Sequence, residues 1–415
     1  MASTAPAMAD RVPIEDPEFY INDPWPTFTW MQEEQPFYYY KPLDTFVVTR
    51  HRDIRDVSIR PTTFINSRGT FLADVKYKDQ VQDTTITDSF FPKDGEQVGT
   101  ADPPRHGDLR RVLMPAFSIP AMEALREPIT RQACTALDAI EPGKTVEWMK
   151  FAAATPIAAA CHLIGLPETD HKRVQYWSDE LEKLGGDLTF KQINQAAKDF
   201  QSLQAYIVEN VERRKAAGAV TGPDLISVLL NAELDSDKVT MGNVVMFAMT
   251  AMAAGSDTTR AMLAGIAHCF AENPDQWTDL RDNRKLVPNA IEEIIRWVTP
   301  ARAFLRVAAE DTEVNGVPVK EGQALYLMYM AANRDATAFV DAHKFDAKRK
   351  DAVRHLAFGA GPHLCAGMRL ARLEGEIMLN AMLDRFSKIE LAGEPKPVRH
   401  IIRNSWDSLP VAFAT

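Results

Sequence analysis

The sequence predicts a mainly α-helical fold with a small β-sheet region, built as a single large domain. From about residue 123 to 298, apolar residues recur three or four apart, most clearly at 198–214 and 287–297, which is the period of one buried helix face. Strand character is confined to short runs: 45–49, the flanks of an Asn315–Gly316 pair that reads as a hairpin tip, 324–330, and the C-terminal end. The 415 residues are 46% hydrophobic and 25% charged, an ordinary globular balance with length for a large core. Length alone would fit two or three domains of about 150 residues. No linker, repeat or low-complexity run divides the chain, so one domain over residues 1–415 is the simpler reading, with 1–15 as a flexible lead.

The first twenty residues lack the basic start and apolar stretch of a secretory signal, and the most apolar segments, 151–166 and 244–255, are too short for a membrane span. A cytoplasmic protein without a membrane segment is expected. Cys134, Cys161, Cys269 and Cys365 lie far apart with no C-x-x-C pair, so neither a zinc site nor a disulfide framework is indicated. A net charge of -10 argues against nucleic-acid binding, which needs a basic surface. Residues 64–102 mix Gly, Asp, Thr and aromatics without a period; so long a structureless stretch in a compact protein is usually functional, and it is a candidate lid over a pocket.

Residues 355–367 read HLAFGAGPHLCAG, and a helical pattern follows in Leu370, Leu373, Ile377, Ala381 and Phe386. Cys365 therefore sits just before or at the start of a long helix, where unpaired amides and the positive end of the dipole favour thiolate over thiol. An anionic sulfur there can ligate a metal. Gly359, Gly361 and Gly367 strip side chains from around it, so the backbone can approach something flat and aim amides at the sulfur. The alternative is a buried structural cysteine beside a Gly-rich loop.

Residues 358–367 resemble the haem-binding loop of the cytochrome P450 superfamily, F-G-x-G-x-[H/R]-x-C-x-G, with every fixed position matched. The resemblance implies a P450 fold with haem b buried between two long helices. It makes Cys365 the axial ligand of the haem iron, whose thiolate promotes O–O cleavage, with Phe358 and Gly359 against the cofactor.

Three further segments agree. Residues 253–260, AAGSDTTR, lie in an apolar helical stretch, where Gly255 costs about 1 kcal/mol relative to Ala and the Thr258–Thr259 pair lowers propensity again. Such a conflict marks functional sites, although a polar notch in a buried helix would also explain it. The family's A-G-x-[D/E]-T-T matches at Ala254, Gly255, Asp257 and Thr258, and implies a helix crossing the distal face of the haem, opened locally where dioxygen sits. Ala254 would touch the haem. Dioxygen reduction needs protons, and the hydroxyl of Thr258 with the carboxylate of Asp257 would deliver them.

In EEIIRW, Glu293 and Arg296 share a helix face; a surface ion pair is the plain explanation, but the family's E-x-x-R, completed here by Arg349 of FDAKR, implies a buried structural lock. His106 and Arg110 in DPPRHGDLRR, Arg306 in RVAAED, and His363 match the family's partners for the two haem propionates. The resemblance runs from about residue 16 to 413. One departure is Ala301–Arg302, where many relatives carry apolar pocket residues: Arg302 either turns away from the pocket or meets an acidic group on the substrate.

The implied activity is monooxygenation, R–H and O2 with two electrons and two protons giving R–OH and water. The chain has no flavin, nucleotide or Fe–S signature, so electrons come from separate proteins. Lys344, Lys348, Arg349, Lys350, Arg354, Arg369 and Arg372 face only Asp346 and Asp351 between residues 344 and 372, a basic stretch suited to an acidic ferredoxin, itself served by a ferredoxin reductase, docking on the cysteine side. A monomer is expected. By position in the family the pocket draws on 64–99, 185–203, 248–258, 299–305 and 403–406. Phe71, Phe90, Phe91, Ala303, Phe304 and Trp406 would give an apolar lining for a terpenoid, steroid, fatty acid or alkyl-aromatic. Two rival readings are a peroxide-driven haem-thiolate peroxygenase and a non-enzymatic haem-binding sensor.

Overall fold

The computed structural model describes residues 12–77, 92, 94–182, 190–234 and 237–415. A five-stranded sheet forms from β1 (Phe37–Tyr40), β2 (Thr45–Val48), β3 (Phe64–Ile65), β4 (Ala303–Ala308) and β5 (Ala324–Met328), in the order β1-β2-β5-β4-β3. β5 runs parallel to β2, and the other pairings are antiparallel. On β4 the alternation of a strand puts Ala303, Leu305 and Val307 into one apolar cluster, while Phe304 and Arg306 share the other face. Asn315 and Gly316, with φ of 49° and 83°, turn a separate hairpin between Thr312–Val314 and Val317–Val319, both in the left-handed region that a tight hairpin turn demands.

The helical body contains α1 (Arg105–Leu113), α2 (Ile119–Asp138), α3 (Trp148–Ile164), α4 (His171–Glu182), α5 (Phe190–Ala216), α6 (Met241–Glu272), α7 (Val287–Val298) and α8 (Met368–Arg385). At 32 residues α6 is the spine, about 48 Å long at 1.5 Å per residue. Thr240 caps it, its hydroxyl accepting from Asn243 N at 3.1 Å. Most of its side chains are buried from Asn243 to Phe270, because neighbouring helices cover it: Trp148 of α3 donates its indole N–H to the Leu263 carbonyl at 3.1 Å, and a Cβ on Gly265 would strike Val298 of α7. Gly375 of α8 sits where three helices converge, its missing Cβ leaving room for Ile291 and Met262, each 3.1 Å from where it would be. A side chain at Gly265 would force Val298 to move, and one at Gly375 would meet its neighbours more tightly than ordinary contact.

Two expectations change here. Val12 and Ile14 are buried at 3% and 0% exposure, packed with Tyr20, Phe28 and Met31, so the lead expected to be flexible is fixed in the core from residue 12; residues 1–11 lie outside the described residues. The stretch 64–102 is not structureless throughout: it contains β3 and a short helix, Leu72–Lys76, and Glu96 N donates to Asn243 Oδ1 of α6 at 2.7 Å. None of the described helices is long and apolar enough to cross a membrane.

Candidate active site

Cys365 closes a loop that leads into α8. Its amide donates to the Phe358 carbonyl at 2.9 Å, and Leu364 N donates to Gly361 O at 3.1 Å. Gly359 and Gly361 have φ of 73° and 68°, conformations that L side chains rarely adopt. A Cβ on Gly361 would also run into the Ser58 carbonyl. Cys365 is exposed, yet burial is the strongest influence on its thiol and pushes its pKa up; the amides of Gly367 and Met368, with Arg110 and Arg372, pull the other way. The sulfur is therefore accessible, and the amides beside it stabilise its anion.

His106, Arg110, Arg306 and His363 gather beside this loop. The His106 and His363 rings lie 4.1 Å apart, and Arg110 donates to the Leu364 carbonyl at 2.7 Å. Arg306 donates to the Leu305 carbonyl at 2.7 Å. Burial first, then His106, Arg306 and Arg110, push His363 down to about 3. Bases so mutually unfavourable are a ready place for anionic groups.

On α6, Ala251, Ala254, Gly255 and Thr258 break the burial pattern: Ala254 is exposed and the others are half-buried. At offsets of three, four and seven they form one stripe. The expected local opening is not seen; α6 is continuous from Met241 to Glu272, and the Thr258 hydroxyl donates to the Ala254 carbonyl at 2.7 Å, a back-bond that competes with helix regularity. Asp257 is buried and turned to cations rather than to Thr258. Its Oδ1 accepts from Arg260 Nη2 at 2.8 Å, and its Oδ2 lies 3.5 Å from Arg403 Nη1. The sequence assigns neither Arg260 nor Arg403 a role toward Asp257, although 403–406 is placed in the pocket. Arg260 stands three residues from Asp257, a spacing that could have shown it; nothing local points to Arg403.

Glu293, Arg296 and Arg349 meet in the core. Glu293 accepts from Arg296 Nε and Nη2 at 2.6 and 2.7 Å and from Arg349 Nε at 3.1 Å, with Glu293 and Arg296 fully buried. The arginines' remaining donors hold the carbonyls of Asn333, Ala342, Lys344, Val340 and Asp341. The triad thus ties α7 to the loop that precedes Cys365.

Among the expected pocket residues, Phe71 and Phe304 pack with ring centroids 5.6 Å apart, tilted at 47°; Phe304 shares its β4 face with Arg306. Phe90 and Phe91 lie outside the described residues. Ala303 is not a wall: it is fully buried on the opposite face of β4, as strand alternation dictates. Trp406 packs on His268 at 4.9 Å, nearly three turns along α6 from Thr258, about 15 Å away at 1.5 Å per residue. It too leaves the candidate lining. Arg302 is 1% exposed and turns from the pocket into the turn formed by residues 400–404.

A long helix with a carboxylate–hydroxyl step, together with a cysteine loop flanked by basic side chains, marks the class of haem-thiolate proteins, and the comparisons agree. The cytochrome P450 family model matches residues 68–401. The steroid C26-monooxygenase of Rhodococcus jostii is 29% identical over 426 residues, covering 100% of this chain and 87% of that protein. The 6-deoxyerythronolide B hydroxylase of Saccharopolyspora erythraea is 31% identical over 331 residues, 77% and 80% of the two chains. The solved structure of cytochrome P450-153 from Novosphingobium aromaticivorans superposes with a TM-score of 0.86 at 27% identity, covering 97% and 99%. The chain belongs to the cytochrome P450 family: it is a monooxygenase that works with haem iron, dioxygen, a redox partner and a small-molecule substrate. The residues present fit the haem, since Cys365 offers a sulfur ringed by amide donors and four bases stand ready for its two propionates.

Proposed function

We propose that the chain hydroxylates a medium-sized apolar molecule, of steroid or terpenoid size, at haem b held by Cys365, with electrons from a ferredoxin and its reductase. The haem supplies dioxygen activation when bound; the protein supplies the ligand, the protons and the pocket. His106, Arg110, Arg306 and His363 hold the propionates, with Ala254, Phe358 and Gly359 against the ring. Glu293, Arg296 and Arg349 hold the core that positions the cysteine loop.

The observation that carries the reading is the step on α6 where half-buried Thr258 follows buried Asp257. A hydroxyl fixed on a carbonyl beside a carboxylate bound to solvent-reaching arginines is a proton path, with Thr258 placing the proton and Asp257 resupplying it. A peroxygenase or a sensor has no need of that pair. Thr258→Ala should leave the carbon monoxide spectrum of the reduced protein unchanged while product per electron falls at least about tenfold and hydrogen peroxide appears instead. Product yield equal to wild type would sink the proton role.

Small residues along α6, Ala251, Ala254 and Gly255, leave room for a bulky substrate, and the Phe71–Phe304 pair gives it an aromatic wall. The similarity to a steroid C26-monooxygenase puts steroids first for trial.

On the cysteine side, three of the basic residues counted in the sequence are already held in ion pairs: Arg349 is in the buried triad, Arg372 holds Glu292 at 2.5 and 3.0 Å, and Lys348 holds Asp279 at 2.7 Å. Lys344, Lys350, Arg354 and Arg369 are exposed, as are the apolar Val353 and Ile59, the latter beside Gly361. A basic rim with apolar anchors suits an acidic ferredoxin. Arg369→Glu should raise the KM for ferredoxin about tenfold at low salt, with the difference shrinking as salt is added; an unchanged KM would move the docking site elsewhere. The cysteines described are all free, which suits a reduced cytoplasmic setting, and the protein is taken as a monomer.

A further inference from the structure

We propose that Arg302 is a positioning residue for the distal acid: it pins the turn at residues 400–404 so that Arg403 is held against the Asp257 carboxylate, delaying the release of that carboxylate toward Thr258. The proposal rests on the proton role given to Asp257 above.

Arg302 spends its fork on one turn. Nη1 donates to the carbonyls of His400 and Arg403, and Nη2 to Asn404 Oδ1 at 3.1 Å. Asn404 passes the tie to the Val298 carbonyl at the end of α7. Backbone bonds fasten the same segments: Arg302 N to Ile402 O at 2.7 Å, Asn404 N to Pro300 O at 2.8 Å, and a bridge between Ala301 and Arg403. Within the turn, His400 Nδ1 accepts from the amides of Ile402 and Arg403 at 3.0 and 3.1 Å, so this nitrogen carries no proton. The Arg403 backbone is therefore held from several directions, and its side chain reaches Asp257.

The energetics single out this arrangement. A buried cation whose acceptors are neutral oxygens is costly, and an apolar residue could fill the same volume more cheaply. What only a planar guanidinium provides is the simultaneous grip on several oxygens in fixed geometry. That grip matters because Asp257 cannot reach Thr258 while both of its oxygens face arginines. Arg260 is on the same helix as Asp257 and also lies 3.5 Å from Asp179 of α4. Arg403 is on a separate segment, so its hold on Asp257 depends on the turn that Arg302 fixes.

The test uses the haem-loaded protein without substrate, driven by a plant-type ferredoxin and its reductase, in wild type, Arg302→Met, Arg302→Lys, Asp257→Asn and the Met–Asn double variant. Hydrogen–deuterium exchange should quicken at the amides of residues 402–404 in Arg302→Met. Oxygen consumption should rise about fivefold, the low end of a typical coupling between two sites, with partial restoration in Arg302→Lys. Asp257→Asn should lower oxygen consumption, and the double variant should match Asp257→Asn alone. Unchanged exchange, or a rise that survives in the double variant, overturns the role of Arg302 and leaves that of Asp257 standing. No effect of Asp257→Asn overturns both. Should Arg302→Met not fold, Arg302→Lys decides, since it keeps the charge and loses the fork.

Discussion

Cys365→Ser is expected to remove monooxygenase activity, by about a thousandfold or more, the scale seen when a group at the centre of the chemistry is deleted. The change is nearly isosteric, and the loop does not depend on the sulfur for its shape: the Cys365 amide bonds to Phe358 O, and Gly359 and Gly361 set the turn. The folded chain should therefore survive. What is lost is an atom that the amides of Gly367 and Met368, with Arg110 and Arg372, are arranged to hold as an anion. A serine hydroxyl titrates far too high to be an anion there at neutral pH, so electron donation to the iron falls. The measurement is the Soret band of the reduced protein under carbon monoxide. A strongly red-shifted band in wild type that vanishes in the variant fits the thiolate; the same band in both would remove Cys365 from the iron.

The cysteine loop was legible because its constraints are local. Glycines at fixed offsets and a base two residues before the cysteine are written within thirteen residues, 355–367, and the helical pattern follows directly from Leu370. The Asp257–Thr258 step and the Glu293–Arg296 pair are also single-helix spacings. The misread residues depend on long-range packing or on a period that was not applied. Trp406 packs against His268, far away in sequence. Ala303 was grouped with Phe304, although alternation along β4 puts them on opposite faces. Arg302 posed a choice that only the 400–404 turn resolves, because its acceptors are about a hundred residues on. Val12 and Ile14 are buried by partners from helices and strands that no N-terminal pattern announces.

The largest stability effect is expected from Glu293→Gln, which should destabilise the fold by about 3–5 kcal/mol and release haem. Glu293 has every acceptor position committed: both nitrogens of the Arg296 fork, Arg349 Nε, and the Asp346 amide at 2.9 Å. Glutamine keeps the shape but offers one oxygen, and its NH2 must point at donors it cannot satisfy. Arg296 would then be buried without a counter-charge and Arg349 would keep only Asp351, 4.0 Å away, while the two still carry the carbonyls of residues 333, 340–342 and 344. Because that segment leads to the cysteine loop, loosening it should free the haem before the helical body melts. Thermal unfolding followed at once by circular dichroism and by Soret absorbance separates the two events. The expected trace shows Soret loss well below the helical transition in Glu293→Gln, and coincident transitions in wild type. Coincident transitions in the variant at the wild-type temperature would mean that the triad neither holds the core nor retains the cofactor. Replacing Glu293, Arg296 and Arg349 together by apolar residues of similar volume should cost less than Glu293→Gln alone, since no charge is then stranded. That ordering would mark the triad as a device that orients the cysteine loop, whose removal is felt chiefly through the charges it leaves behind.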